Sequence, residues 1–152
     1  MDHVAIMKRS QGLISKVLSG KKTIESRWYV SKRAPWGKIA VGDKIYFKDA
    51  SAPVSAVASV SKVISFTHLS PNKVRRIVDA YGIEIGVEKE MASEFIESLK
   101  GKKYCLLIFL ENPQKITPFN IDKTGFGLMS AWIVVDDIRN IACPIEQEFA
   151  VK

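Results

Sequence analysis

Apolar and polar positions along this chain switch between a period near 3.6 and a period of two, and the switches outline its elements. Val4-Ala5-Ile6-Met7 is continuously apolar and stops at Lys8-Arg9, which predicts a short strand. Leu13, Ile14, Val17 and Leu18 then recur at helical spacing. Ser10 stands where an N-cap belongs, and Gly20 where a left-handed residue ends a helix. Residues 23–30 are rich in β-formers. Alternation puts Thr23, Glu25, Arg27 and Tyr29 on one face and Ile24, Ser26, Trp28 and Val30 on the other. The turn Val41-Gly42-Asp43-Lys44 leads into a strand over 45–48, and 54–66 suits a long, bent strand. Ser70-Pro71 pairs an N-cap with proline at the first helical position. The helix it opens has a stripe of Val74, Ile77, Val78 and Tyr81, with Gly82 as its stop. A third helix is predicted over 87–99, with Met91, Phe95 and Leu99 in register and Gly101 ending it. The apolar run 104–110 reads as a central strand, 116–120 as a separate strand broken by Pro118, and 130–135 as the last. Strands interrupted by two or three short helices predict an α+β domain, and five or six strands of this length suffice to close a small β-barrel.

Length supports one domain over 1–152, large enough to bury roughly 70% of its unfolded surface. No run approaches the ~18 apolar residues of a membrane span. Met1-Asp2-His3-Val4 lacks the basic start and apolar core of a signal peptide, so the cytoplasm is the expected compartment. Cys105 and Cys143 lie in apolar surroundings and are expected to be small buried hydrophobes. His3 and His68 have no partner at metal-ligand spacing; no metal and no cofactor are expected. Asp43 reads as a turn former.

Charge changes the picture. The net charge is +7, and residues 1–50 carry all of it, with eleven Lys and Arg against four acids. A localised basic excess suggests a polyanionic partner, RNA or a nucleotide. Within that third, Gly20-Lys21-Lys22-Thr23-Ile24-Glu25-Ser26-Arg27 places a lysine at a helix exit and an arginine on the next strand. Arginine offers a bidentate fork to phosphate, and a lysine whose pKa burial lowers can serve as base or nucleophile. Glu25 is placed to hold the guanidinium or to accept from the amino group of a base. The plain alternative is a surface ion pair worth about 0–1 kcal/mol.

Gly20-x-Lys22-x-x-Glu25-x-Arg27 resembles the G-x-K-x-x-E-x-R signature of the ASCH domain, a family within the PUA-like β-barrels. The preceding helix, the loop ending Ala34-Pro35-Trp36-Gly37, the segment Val41-Gly42-Asp43-Lys44-Ile45-Tyr46-Phe47 and Ser130-Ala131-Trp132 extend the resemblance over most of 4–135. It implies a barrel of five or six strands with helices packed outside, and a cleft beside the first helix lined by Lys22, Glu25 and Arg27. It also implies binding of RNA or nucleotides. Some small members resemble amidohydrolases acting on N4-acylcytidine, and others are linked to RNA cleavage. The amidohydrolase pattern has a lysine at the position of Lys22, but a threonine nucleophile where this chain has Glu25. It also needs a later glutamate, for which Glu84, Glu88 and Glu90 are candidates. Lys22 and Glu25 are therefore the candidate catalytic pair, with water activation the chemistry left to them.

Other candidates surround the motif. Lys32, Arg33, Trp36 and Lys38 share one loop, and aromatics among cations suit base stacking with phosphate contact. Trp36 equally suits a lid on the barrel. Trp132 either floors the pocket beside Ser130 or fills the core; Trp28 is expected in the core; Lys48 is placed near the cleft or in solvent. Thr124-Gly125-Phe126-Gly127 is a candidate pocket wall. Three functions compete: RNA or nucleotide binding, hydrolysis of a modified nucleoside, and docking of an acidic protein on the basic face. A monomer is favoured, and no membrane partner is expected.

Overall fold

In the computed structural model, residues 1–127 and 129–145 are described; the expected single unit over 1–152 thus has residues 128 and 146–152 outside the described set. Among the described residues seven strands form: β1 (Asp2–Met7), β2 (Ile24–Tyr29), β3 (Lys44–Asp49), β4 (Val54–Phe66), β5 (Tyr104–Ile121), β6 (Trp132–Val135) and β7 (Ala142–Cys143). Six follow the order β2-β5-β4-β3-β1-β6, and β7 pairs with the far end of β5. β1 and β3 run parallel; the other pairs are antiparallel. The sheet curls into a half-barrel whose interior holds Ala5, Met7, Ile45, Phe47, Val60, Leu106, Ile108 and Trp132. This is an α+β curled sheet with outer helices, the architecture that the periodicity and the resemblance predict.

The three α-helices are α1 (Leu13–Leu18), α2 (Pro71–Ile85) and α3 (Ala92–Ser98). None is long and apolar enough to cross a membrane. α2 lies on the outer face of β2 and β5, burying Ile77 and Ile85 against Ile24, Cys105 and Leu107. Trp28 closes the junction of α2 and α3, edge-on to Phe95 at 6.1 Å.

Several boundaries differ from the pattern reading, each for a local reason. Ser10 is not a cap: it lies inside a 3₁₀ turn (Arg9–Gln11), and left-handed Gly12 precedes α1 instead. Gly82 does not stop α2; it is buried within the helix, which runs one more turn to Gly86 at φ 98°. Packing against the sheet outweighs glycine's weak helix propensity. The predicted third helix splits into a 3₁₀ turn (Lys89–Met91) and α3. Residues 104–110 and 116–120 belong to one strand, because β5 bends past Pro113 and Pro118, with its register against β4 slipping three times. Cys105 is buried as expected, but Cys143, on the two-residue β7, is exposed.

Candidate functional site

The curled sheet leaves β2 and β6 as its two edges, and the site sits at the seam between them. Alternation along β2 holds. Glu25 and Arg27 pair across to Ile108 and Leu106, which line the barrel interior, while Ile24 and Trp28 turn out toward the helices. Arg27 crosses the seam. Its Nη1 donates to the Ala131 carbonyl at 3.4 Å, its Nη2 to Met7 Sδ at 3.6 Å, and its guanidinium carbon stands 4.9 Å over the Trp132 ring.

Lys22, Glu25 and Arg27 converge. Lys22 Nζ lies 3.0 Å from Glu25 Oε1, and Arg27 Nε donates to Glu25 Oε2 at 2.8 Å. Lys22 and Glu25 are each only 3% exposed. The plain alternative, a Glu25–Arg27 surface pair, therefore fails: the two do pair, but on a buried carboxylate. Burial favours the neutral carboxyl, but the Lys22 and Arg27 charges and hydrogen bonds outweigh it and hold Glu25 below the ordinary glutamate range.

Lys22 is spent on structure. Besides Glu25, its ammonium donates to the Ile24 carbonyl at 2.8 Å and to the Ile85 carbonyl at 2.6 Å. Three acceptors take its three donors. Ile85 is the last residue of α2, and Lys16 Nζ donates to the next carbonyl, Gly86 O, at 3.1 Å. Two lysines thus satisfy carbonyls at the negative end of α2. Gly86 is called for by its backbone, at φ 98°; a Cβ there would only touch the Lys22 side chain, at 3.4–3.5 Å. The Thr23 N–H, donating to Glu84 O at 2.8 Å, pins the motif to the same helix end. Lys22 thus keeps no free donor, while Glu25 accepts one contact at each of its carboxylate oxygens.

Two hollows flank Arg27. One, about 500 Å³, is lined by Arg27, Tyr29, Arg33, Lys102, Ser130 and Trp132 among others, and by no carboxylate among the described residues. The other, about 710 Å³, lies under α1 and α3; Lys22, Glu25 and Arg27 all line it, with Lys8, Lys16, Lys102, Glu88 and Glu94. Arg27, Trp28, Lys102 and Ala131 wall both. Of the three later glutamates, Glu88 reaches the second hollow, 4.0 Å from Lys16 Nζ, and Glu84 and Glu90 do not.

The remaining candidates divide. Arg33, Ser130 and Trp132 line the first hollow, and Ser130 Oγ donates to the Phe126 carbonyl. Lys32 turns away, its ammonium 5.5 Å from the Trp36 ring and 5.4 Å from Tyr104. Trp36 packs on the interior cluster edge-on to Tyr104, which makes it the lid rather than a stacking platform. Lys38 is exposed and lines neither hollow. Lys48 pairs with Ile6 on β1 and shares the opposite face of β3 with Tyr46, away from Phe47 and the interior; it lines neither hollow and is only 8% exposed, so it is neither at the cleft nor in solvent. Phe126 is half-buried in that outer cluster, so the 124–127 loop is not the wall; the stretch from Met129 to Trp132 is. Pattern reading missed His3, Asp43 and Lys102. For His3 a signal existed: alternation puts it on the Ala5 and Met7 face, inside the barrel.

No protein-family model matches the chain, and no curated protein matches it in sequence. Solved structures do. An ASCH protein from Zymomonas mobilis superposes with a TM-score of 0.65 at 17% identity, over 95% of this chain and 98% of that one. A mutant of the same protein gives 0.66 at 18% identity, over 91% and 93%. The fold is of the ASCH type. The crystal structure of hypothetical protein PH0355 is more distant, at TM-score 0.50 and 20% identity over 76% of this chain and the whole of that one. At these identities the likeness is one of backbone architecture. In this chain the ASCH-type half-barrel opens where β2 faces β6, and the two hollows meet there.

Proposed function

We propose that this ASCH-type domain binds RNA or a nucleotide at the Arg27 seam. The observation that carries this reading is the first hollow: three cations, Arg27, Arg33 and Lys102, around the Trp132 and Tyr29 rings, with no carboxylate among the described residues of its lining. Phosphate would meet Arg27, whose Nη groups are held only by a long carbonyl contact and a thioether. A base would lie against the aromatic side. The second hollow would take the neighbouring nucleotide of a longer strand, with Lys8 and Lys102 at its rim. Lys22 and Glu25 then serve as the mount that aims Arg27.

Fluorescence anisotropy with a labelled oligouridylate, and competition by uridine monophosphate, test this directly. Arg27→Ala is expected to weaken binding about tenfold. Arg27→Lys should not restore it, since a point charge lacks the planar fork. Absence of binding by the unmodified chain to either probe at low salt sinks the reading.

A further inference from the structure

Behind Arg27 the fold buries a hydrogen-bonded line that runs from the seam to the turn before β3. Trp132 Nε1–H donates to His3 Nδ1 at 3.0 Å, and His3 Nε2 lies 2.8 Å from Asp43 Oδ2. Indole nitrogen is a donor only, so Nδ1 must accept. The neutral imidazole then carries its proton on Nε2 and donates it to Asp43, which fixes one tautomer. His3 is wholly buried and Trp132 nearly so, with their rings edge-on at 5.7 Å. Asp43 is held in turn by the Ala40 N–H at 3.0 Å and the Met1 amino group at 3.3 Å. At the other end, the Trp132 ring carries the Arg27 guanidinium.

We propose that His3 and Asp43 are positioning residues of the Arg27 site, that they hold the Trp132 indole on which the guanidinium rests, and that protonation of His3 releases it. This rests on Arg27 being the anion contact argued above. A protonated imidazole bears N–H on both nitrogens. Nδ1–H would then face the indole N–H 3.0 Å away, two donors opposed at a site closed to bulk solvent. One of the rings must turn, and the cation–π seat of Arg27 goes with it.

Burial makes His3 hard to protonate, and this outweighs the opposing hydrogen bond and charge of Asp43, so the ring titrates below its ordinary 6.5. The charged groups facing it are Asp43 and the Met1 amine, Asp2 on its own strand, and Arg27 beyond the Trp132 ring. Its register partners on β3 and β6, Ile45 and Val134, are apolar. The site is therefore set at neutral pH and is undone only in acid.

The test uses the whole chain. The Trp132 Nε1–H and Arg27 Nε–H resonances are followed by NMR without ligand, from pH about 7.5 to about 4.5, a range that brackets an imidazole with a lowered pKa. The Trp132 resonance is assigned by its loss in Trp132→Phe. Affinity for an oligouridylate with hydroxyl ends, which brings no titrating group of its own into that range, is measured alongside. Both resonances are expected to move through one midpoint below 6.5. Affinity should fall about three- to tenfold through the same midpoint, the scale of a lost cation–π contact. His3→Asn offers an amide oxygen to the indole without a titrating proton, so it should keep neutral-pH affinity within about twofold and abolish all three transitions. Flat resonances in the unmodified chain, or transitions that survive His3→Asn, overturn the proposal. Should the oligouridylate bind at no pH, the RNA reading fails by itself. The paired Trp132 and Arg27 transitions still decide the positioning role, upheld if they coincide and vanish in His3→Asn, overturned if they do not.

Discussion

Lys22, Glu25 and Arg27 share one signature but do three different jobs, and burial decides which. Lys22 closes the end of α2, Glu25 links it to Arg27, and Arg27 keeps donors at the seam. Removing the middle charge strands the other two. Glu25→Gln is expected to lower unfolding free energy by about 3 kcal/mol, the cost of leaving a buried charge without its partner, read by urea denaturation. The pH dependence has a definite sign. Glu25 has a depressed pKa in the folded chain, so its contribution is present above the ordinary value of 4.5 and is lost as pH falls through the lower folded value. The gap between the parent and Glu25→Gln should therefore close in acid; a gap independent of pH would contradict the ion-pair account. Lys22→Met predicts a comparable stability loss, because the Ile24 and Ile85 carbonyls lose their donor. A Lys22→Met protein that kept full stability and lost only activity would restore a chemical role for the lysine.

α2 is the element on which the site is hung. It presents its C-terminal carbonyls to Lys22 and Lys16, and Gly86 supplies the left-handed end beside the lysine stem. Gly86→Ala is expected to cost about 1 kcal/mol for its positive φ, and Gly101→Ala about the same, read by thermal unfolding. The Gly86 variant disturbs the carbonyls that hold Lys22 and should also weaken oligouridylate binding, whereas the Gly101 variant should leave binding unchanged. The same helix shows what local pattern conveys. Its start was legible, since Ser70 accepts from the Lys73 N–H at 3.2 Å and Pro71 occupies the first position. Its end was not. Gly82 and Gly86 look alike in a sequence, and only contact with the sheet keeps the first inside the helix.

At the scale of the molecule, five of the eleven cations in residues 1–50 gather at the two hollows and the rest lie elsewhere. Lys8, Lys16, Lys22, Arg27 and Arg33 all reach the two hollows, joined from the other end of the chain by Lys102. Arg27, Arg33 and Lys102 around the first hollow predict that log affinity for a short oligonucleotide falls with log salt at a slope near −2, at about 0.7 per contact on a single strand. A longer strand that also meets Lys8 should steepen the slope to about −3. A slope that ignores strand length would confine binding to one hollow.

Much was readable before any coordinates. Helix and strand periods, the inward face of Glu25 and Arg27, and a barrel with outer helices all follow from side chains repeating on a local backbone geometry. Lys22, Glu25 and Arg27 of the signature do meet, because a helix stop and the strand after it are local features. What lay beyond reach was who meets whom across the barrel. Lys22 being consumed by a helix end 63 residues away, Lys48 facing outward, and His3 standing behind Trp132 at a separation of 129 residues are consequences of sheet order and curl. A residue's own neighbours along the chain decide which way it points; the strand that curls round to face it decides whether its charge is free to act.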